Sequence, residues 1–257
     1  LFYYGGRVAK IVMIALAVVI IIKNRAKTNK NNETDDLFEQ ALNTSDQEII
    51  YETLIQHNKE SISELLNISK DIYNGVVNAF MKEDIKTLRK ASNDCRLAKD
   101  KMKQLKRKEI IIMRRLDDKM INKNTWFHLS YNCIEQILYA LRRICDPCKE
   151  YVDNSFTPLD KKYLPEVENL KDKVLWSLSA ADNTILNSDY KDVDYIMEQI
   201  TERESAVIEM SHEQMNRIQH DRDNIDLALL YLNIIQESSE LVTEMRHLLR
   251  SEAKMNE

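Results

Sequence analysis

Four cysteines, five histidines and 42 acidic residues are the groups in this chain with chemistry to offer, and their spacing limits what they can do. Cys145-Asp-Pro-Cys148 is a CxxC pair. Cys95 and Cys133 stand apart from it, and neither a second CxxC nor an HxxxH completes a tetrahedral zinc set. A redox CxxC opens a helix after a strand. This one lies inside a helical run, so the cysteines are expected to be small, reduced core residues, as in cytoplasm. His57, His128, His212, His220 and His247 form no HxxxH or HExxH pair, and no serine sits in a GxSxG elbow. No catalytic residue is assigned, and the chain reads as a non-enzyme.

Glycine and charge exclude further classes. Only Gly75 follows Gly5 and Gly6, so a phosphate-cradling loop or a sheet fold lacks its raw material. Inside a helix Gly75 costs about 1 kcal/mol against alanine, and close helix packing would compensate. The net charge is −5. All six charged groups of the first thirty residues are basic, which leaves 31 basic against 42 acidic residues beyond them. An acidic body argues against nucleic acid as a partner. Lys99 to Lys119 is locally basic, with Lys101, Lys103, Lys106, Arg107, Lys108, Arg114 and Arg115. It suits either a patch facing anionic lipid or polyphosphate, or an exposed helix face balanced by neighbouring acids, and the second is preferred.

The elements that would carry these groups are helices. Ile11 to Ile22 reads IVMIALAVVIII, with no polar residue, and Lys23, Arg25, Lys27 and Lys30 come next. Twelve residues rise only about 18 Å as a helix. Extension back to Val8 and over the Lys23 stem approaches the ~30 Å hydrocarbon thickness. No small-residue cleavage site marks a signal peptide. Residues 1–26 are therefore expected to be a terminal transmembrane helix. Lys23, Arg25 and Lys27 would lie at the membrane interface, holding everything after about residue 23 on the cytoplasmic side of the inner membrane. The first residue is Leu1, which fits the end of a larger membrane protein. Residues 27–44, opening on KTNKNNETDD, form a polar linker.

Residues 45–257 carry apolar stripes at helical spacing. Ser45-Asp-Gln-Glu48 is a capping box before a helix that ends near Lys82. Asp84 caps a second helix to about Met120, with Leu88, Leu97, Met102 and Leu105 inward. A third runs from about Thr125 to Val152, with a kink expected at Pro147. A loop with Pro158 comes after it, and Pro165 suits the first turn of a fourth helix to Leu186. The fifth spans Asp189 to about His220 and the sixth Asp223 to about Ala253. Residues 45–153 and 164–257 look like two related three-helix units. At an offset of 91, Ile134, Ile137, Leu138, Leu141 and Ile144 fall on Ile225, Ala228, Leu229, Leu232 and Ile235. The fold class is all-α.

The stretch Thr125-WFHLSYNCIEQILYALRRICDPCKEYVDN-Ser155 resembles the helix of PhoU-like domains that reads along the lines of LERIGDHAxNIAE. With Gly5-Gly6-Arg7 and a last membrane span, the whole resembles the carboxyl end of PiT-type inorganic phosphate permeases. Some bacterial members carry a cytoplasmic PhoU-like extension there. The resemblance implies cation-coupled phosphate symport by the full protein, with the transport site in membrane helices absent from this segment. It makes the bundle a regulatory or interaction module. The implied partners are the upstream transport domain, membrane lipid and inorganic phosphate, with self-association left open. PhoU-like domains also bind metal through acids at i, i+4, where two carboxylates share a helix face. Here Leu141-Arg-Arg-Ile-Cys-Asp146 keeps Asp146 but puts Arg142 at the other acid, and Leu232-Asn-Ile-Ile-Gln-Glu237 keeps Glu237 but puts Asn233 there. A metal at Asp146 and Glu237 thus retains half of each motif, and ion-paired acids are the preferred expectation. No other cofactor is implied. A membrane-anchored helical-bundle signalling or scaffold protein unrelated to transport is the alternative.

Overall fold

A computed structural model of the chain describes residues 39, 43–117, 121–154, 158–159, 161–220 and 224–256. Six long helices occupy them: α1 (Gln47–Met81), α2 (Ile85–Met113), α3 (Ile121–Asp153), α4 (Leu164–Asn187), α5 (Val193–His220) and α6 (Ile225–Asn256). A short 3-10 turn, Lys161–Tyr163, leads into α4. Among the described residues there is no strand. None of these helices is long and apolar enough to cross a membrane. The segment expected to do so, its flank Lys23, Arg25 and Lys27, and most of the linker lie outside the described residues.

Local chemistry sets the helix ends. Asp46, one residue beyond the expected cap, accepts from the Glu48 and Ile49 amides at 3.0 and 3.5 Å. Asp84 accepts from the Thr87 amide at 3.1 Å, as anticipated. Pro165 falls in the first turn of α4, where its missing N–H is not needed. Two boundaries differ from expectation. α2 stops at Met113 rather than near Met120, because the start of α1 grips the turn beyond it. The Gln47 side chain donates to the Arg115 carbonyl at 3.2 Å and accepts from the Asp117 amide at 2.9 Å, while Arg115 donates to the Thr44 carbonyl at 2.8 Å. α3 then begins four residues early, at Ile121.

α1 packs on α2, α3 and α4, and α6 on α3, α4 and α5, with α3 against α6 the most extensive pairing. The core is filled from α1, α2, α3, α4 and α6, including Leu65, Tyr73, Leu88, Ile137, Leu141, Leu178, Ile235 and Leu241. α5 contributes least. α5 buries only Ile200, Val207, Ser211 and Gln214. α2 turns Ala91, Cys95 and Ala98 inward, and these small residues allow close approach. Leu97, expected in that stripe, is instead 49 % exposed. Gly75 does not relieve a close contact either. A Cβ there would meet open space, in a groove of about 400 Å³ between α1 and α2.

Helix α3 runs through Pro147 to Asp153. Proline removes the amide that would bond the carbonyl four residues earlier, that of Arg143. The Asn233 side chain, from α6, donates to this carbonyl at 3.0 Å. Asn233 thus supplies from a neighbouring helix the donor that Pro147 lacks. The coupling is testable in a double-mutant cycle by urea unfolding. Asn233→Ala is expected to cost about 1 kcal/mol, and distinctly less in a Pro147→Ala background, where the helix amide returns. Equal losses in the two backgrounds would show that the pair is uncoupled.

Candidate functional site

The two carboxylates singled out for metal are held by arginines. Asp146 accepts from the Ser92 hydroxyl of α2 at 2.6 Å and from Arg142 Nε, one turn back, at 3.0 Å. Burial works against its charge, but Ser92 and Arg142 outweigh this and hold the carboxyl below the ordinary range. Glu237 receives Arg143 Nε at 2.7 Å. The residues that interrupt the acidic motif therefore have structural partners: Arg142 neutralises Asp146, and Asn233 holds the Arg143 carbonyl. Among the described residues no three His, Cys, Asp or Glu side chains converge as a metal ligand set. All four cysteines are buried and free, with Cys95 Sγ 3.5 Å from Cys145 Sγ. Cys145 is raised by the Cys95 contact and by burial, and Cys148 by burial.

A different cluster is less ordinary. On α2 the inward stripe Ala98, Met102 and Ile112 includes Glu109, which is fully buried. Donors converge on it from two other helices. Tyr131 of α3 donates to Oε1 at 2.7 Å, and Asn58 of α1 donates to Oε2 at 3.0 Å. His57 Nδ1 lies 2.8 Å from Oε1, with the Ser61 hydroxyl 3.3 Å from that nitrogen. A carboxylate among apolar residues is tolerable only when its oxygens are satisfied in this way. Glu109 consequently fixes the register of α1, α2 and α3 at once.

On α6 the inward stripe Met245, Leu248, Leu249 and Met255 includes Glu252, also fully buried, and neither of its oxygens has a hydrogen-bond partner. Burial raises its carboxyl to about 7. The Ser130 hydroxyl opposes this, without closing a bond of normal geometry, and the nearby Glu109 carboxylate adds to it. Three surface cavities among the described residues lie elsewhere: over Gly75, beside Phe80 and Tyr151, and beside Trp176 and Arg203. Glu109, Glu252 and His57 were not among the residues expected to be functional. The signal that marks the two glutamates is an acid at a position where the helical stripe calls for an apolar side chain.

Between the ordinary glutamate value of 4.5 and about 7, the folded chain keeps a proton on Glu252 that the unfolded chain has lost. Its stabilising contribution is complete below pH 4.5, declines as pH rises towards 7 and is gone above, by about 3 kcal/mol in all. Glu252→Gln, neutral throughout, is expected to abolish this decline and to be more stable than the unaltered chain above pH 7. Urea unfolding across that range checks it, and parallel stability profiles for the two proteins would refute it.

Comparison with solved structures identifies the architecture. Over 80 % of this chain and 98 % of its own length, the crystal structure of PhoU from Pseudomonas aeruginosa is similar to it, with a TM-score of 0.64 at 12 % sequence identity. The phosphate transport system regulatory protein PhoU from Streptococcus pneumoniae gives a TM-score of 0.62 at 12 % identity, over 80 % of this chain and 96 % of that one. No family model matches the sequence, and no curated protein matches it. The six-helix bundle has the PhoU fold.

Proposed function

We propose that this chain is a PhoU-like regulatory module of inorganic phosphate transport, carried as the cytoplasmic tail of a cation-coupled permease of the PiT type. The observation that carries this reading is the fold likeness: the bundle accounts for nearly the full length of two PhoU structures, one of them described as a phosphate transport system regulatory protein. The apolar run Ile11 to Ile22 and its basic flank at Lys23, Arg25 and Lys27 support a membrane attachment with the bundle on the cytoplasmic side. The mechanism is allosteric and non-enzymatic. A short polar linker keeps the bundle at high effective concentration near the transport domain. Docking it differently in two transport states biases their equilibrium. In this reading Asp146 and Glu237 anchor helices through their arginines and hold no metal.

Phosphate uptake by the full permease, intact and cut after Lys27, tests the proposal. The cut protein is expected to lose the dependence of uptake on phosphate supply. If uptake and its response to supply are the same in both, the bundle does not regulate transport, and a scaffold role is favoured.

A further inference from the structure

Helix α2 differs in charge from the rest of the chain. Between Ile85 and Met113 it carries ten basic and three acidic residues, in a protein whose net charge is −5. One of the three acids, Glu109, is buried in the cluster described above. Some of the cations are matched: Lys101 by Glu64, Lys99 by Glu135 and Tyr139, Arg89 by Asp153 at 2.7 Å. Lys86, Lys90, Lys103 and Arg107 are exposed and make no ion pair with a described residue. The preferred expectation of a face balanced by neighbouring acids therefore holds for only part of the helix.

The outward arc has a regular layout. Leu97, Gln104 and Ile111 recur every seven residues, so they fall nearly on one line along the helix, about 10 Å apart. Leu97 and Ile111 are 49 % and 51 % exposed. At 3.6 residues per turn, Lys90 continues this line one heptad before Leu97, and Arg89, Lys103 and Arg107 lie to one side of it. Asp94 and Asp100 share this arc, but the cations outnumber them, and two isolated aliphatic side chains among an excess of long, flexible cations match the charge and polarity profile of a bilayer interface. The aliphatic groups enter the headgroup boundary, and the cations meet lipid phosphates. Lys90 and Leu97 border the groove over Gly75, whereas Lys103, Gln104, Arg107 and Ile111 do not. The connection to the amino-terminal segment points the same way. Thr44, at the end of the polar linker, is held by Arg115 immediately after α2, so the linker enters the bundle beside this helix. If the apolar run Ile11 to Ile22 lies in lipid, the linker brings the basic arc to the membrane.

We propose that the outer face of α2, centred on Leu97, Gln104 and Ile111, docks on an anionic bilayer surface. The inference goes beyond phosphate regulation and stands whether or not the chain belongs to a permease. The test uses the full chain with an environment-sensitive fluorophore on Gln104→Cys, which labels selectively because the four native cysteines are buried. Vesicles of phosphatidylcholine with phosphatidylglycerol are expected to shift the emission to the blue, and phosphatidylcholine alone is not. High salt is expected to reverse the shift, and the exposed-site variant Lys90→Glu/Lys103→Glu/Arg107→Glu to lose it while keeping its unfolding transition. The proposal fails if anionic vesicles give no shift, if neutral vesicles give an equal one, or if the shift withstands both salt and charge reversal. It also fails if soluble polyphosphate or polyglutamate reproduces the shift, since the face would then be a general polyanion or acidic-protein site.

Discussion

α3 and α6, from opposite halves of the chain, lie against each other along much of their length, and the other helices are placed around that seam. α3 brings Ile134, Ile137, Leu141 and Ile144 and α6 brings Tyr231, Ile234, Ile235 and Val242 to the core, all buried. Such contacts provide most of the driving force but little directional information. Direction comes from the polar pairs at the same seam. Arg143 reaches Glu237, and Asn233 completes the carbonyl that Pro147 leaves without its amide. The two motif positions on α6, Asn233 and Glu237, both reach Arg143 and lock the halves in register, whereas their counterparts 91 residues earlier, Arg142 and Asp146, pair with each other.

The same division of labour extends through the bundle. Asp182 of α4 accepts from Ser63 at 2.5 Å and from Asn67 at 2.8 Å, tying α4 to α1. Tyr73 and Ser238 meet at 2.8 Å between α1 and α6. Glu166 and Arg217 form a two-pronged pair between α4 and α5. The buried members, Ser63, Asp182, Tyr73 and Ser238, are costly unless satisfied, so each penalises a slipped alternative. Glu252 departs from the pattern. Neither of its oxygens has a partner, a second buried carboxylate is near, and burial raises its carboxyl above the ordinary range.

Much of this organisation is visible in the chain itself. Apolar spacing, Asp84 and Pro165 mark six helices and several of their ends, because capping and periodicity depend on neighbours within a turn or two. What stays hidden depends on contacts across long separations. Nothing local to Arg115 reveals that Gln47 will end α2 there. Periodicity shows that α2 has an inward face but not that Cys95 and Ala98 take it while Leu97 stays outside. Glu109 and Glu252 read as surface acids until α1 and α3 bring His57, Asn58, Tyr131 and Ser130 against them. The motif acids Asp146 and Glu237 are legible as positions, whereas their arginine partners become evident only once the helices are assembled.

If the α3–α6 seam joins both halves into one core, neither half can unfold alone. Trp126 in α3 and Trp176 in α4 place one indole in each half. Urea unfolding followed by fluorescence in the single-tryptophan variants Trp126→Phe and Trp176→Phe measures the halves separately. Once each curve is normalised for its own mutational cost by far-ultraviolet circular dichroism, the indole signal should coincide with global helix loss in both proteins. An indole transition displaced from the loss of helix in either variant would contradict a single shared core.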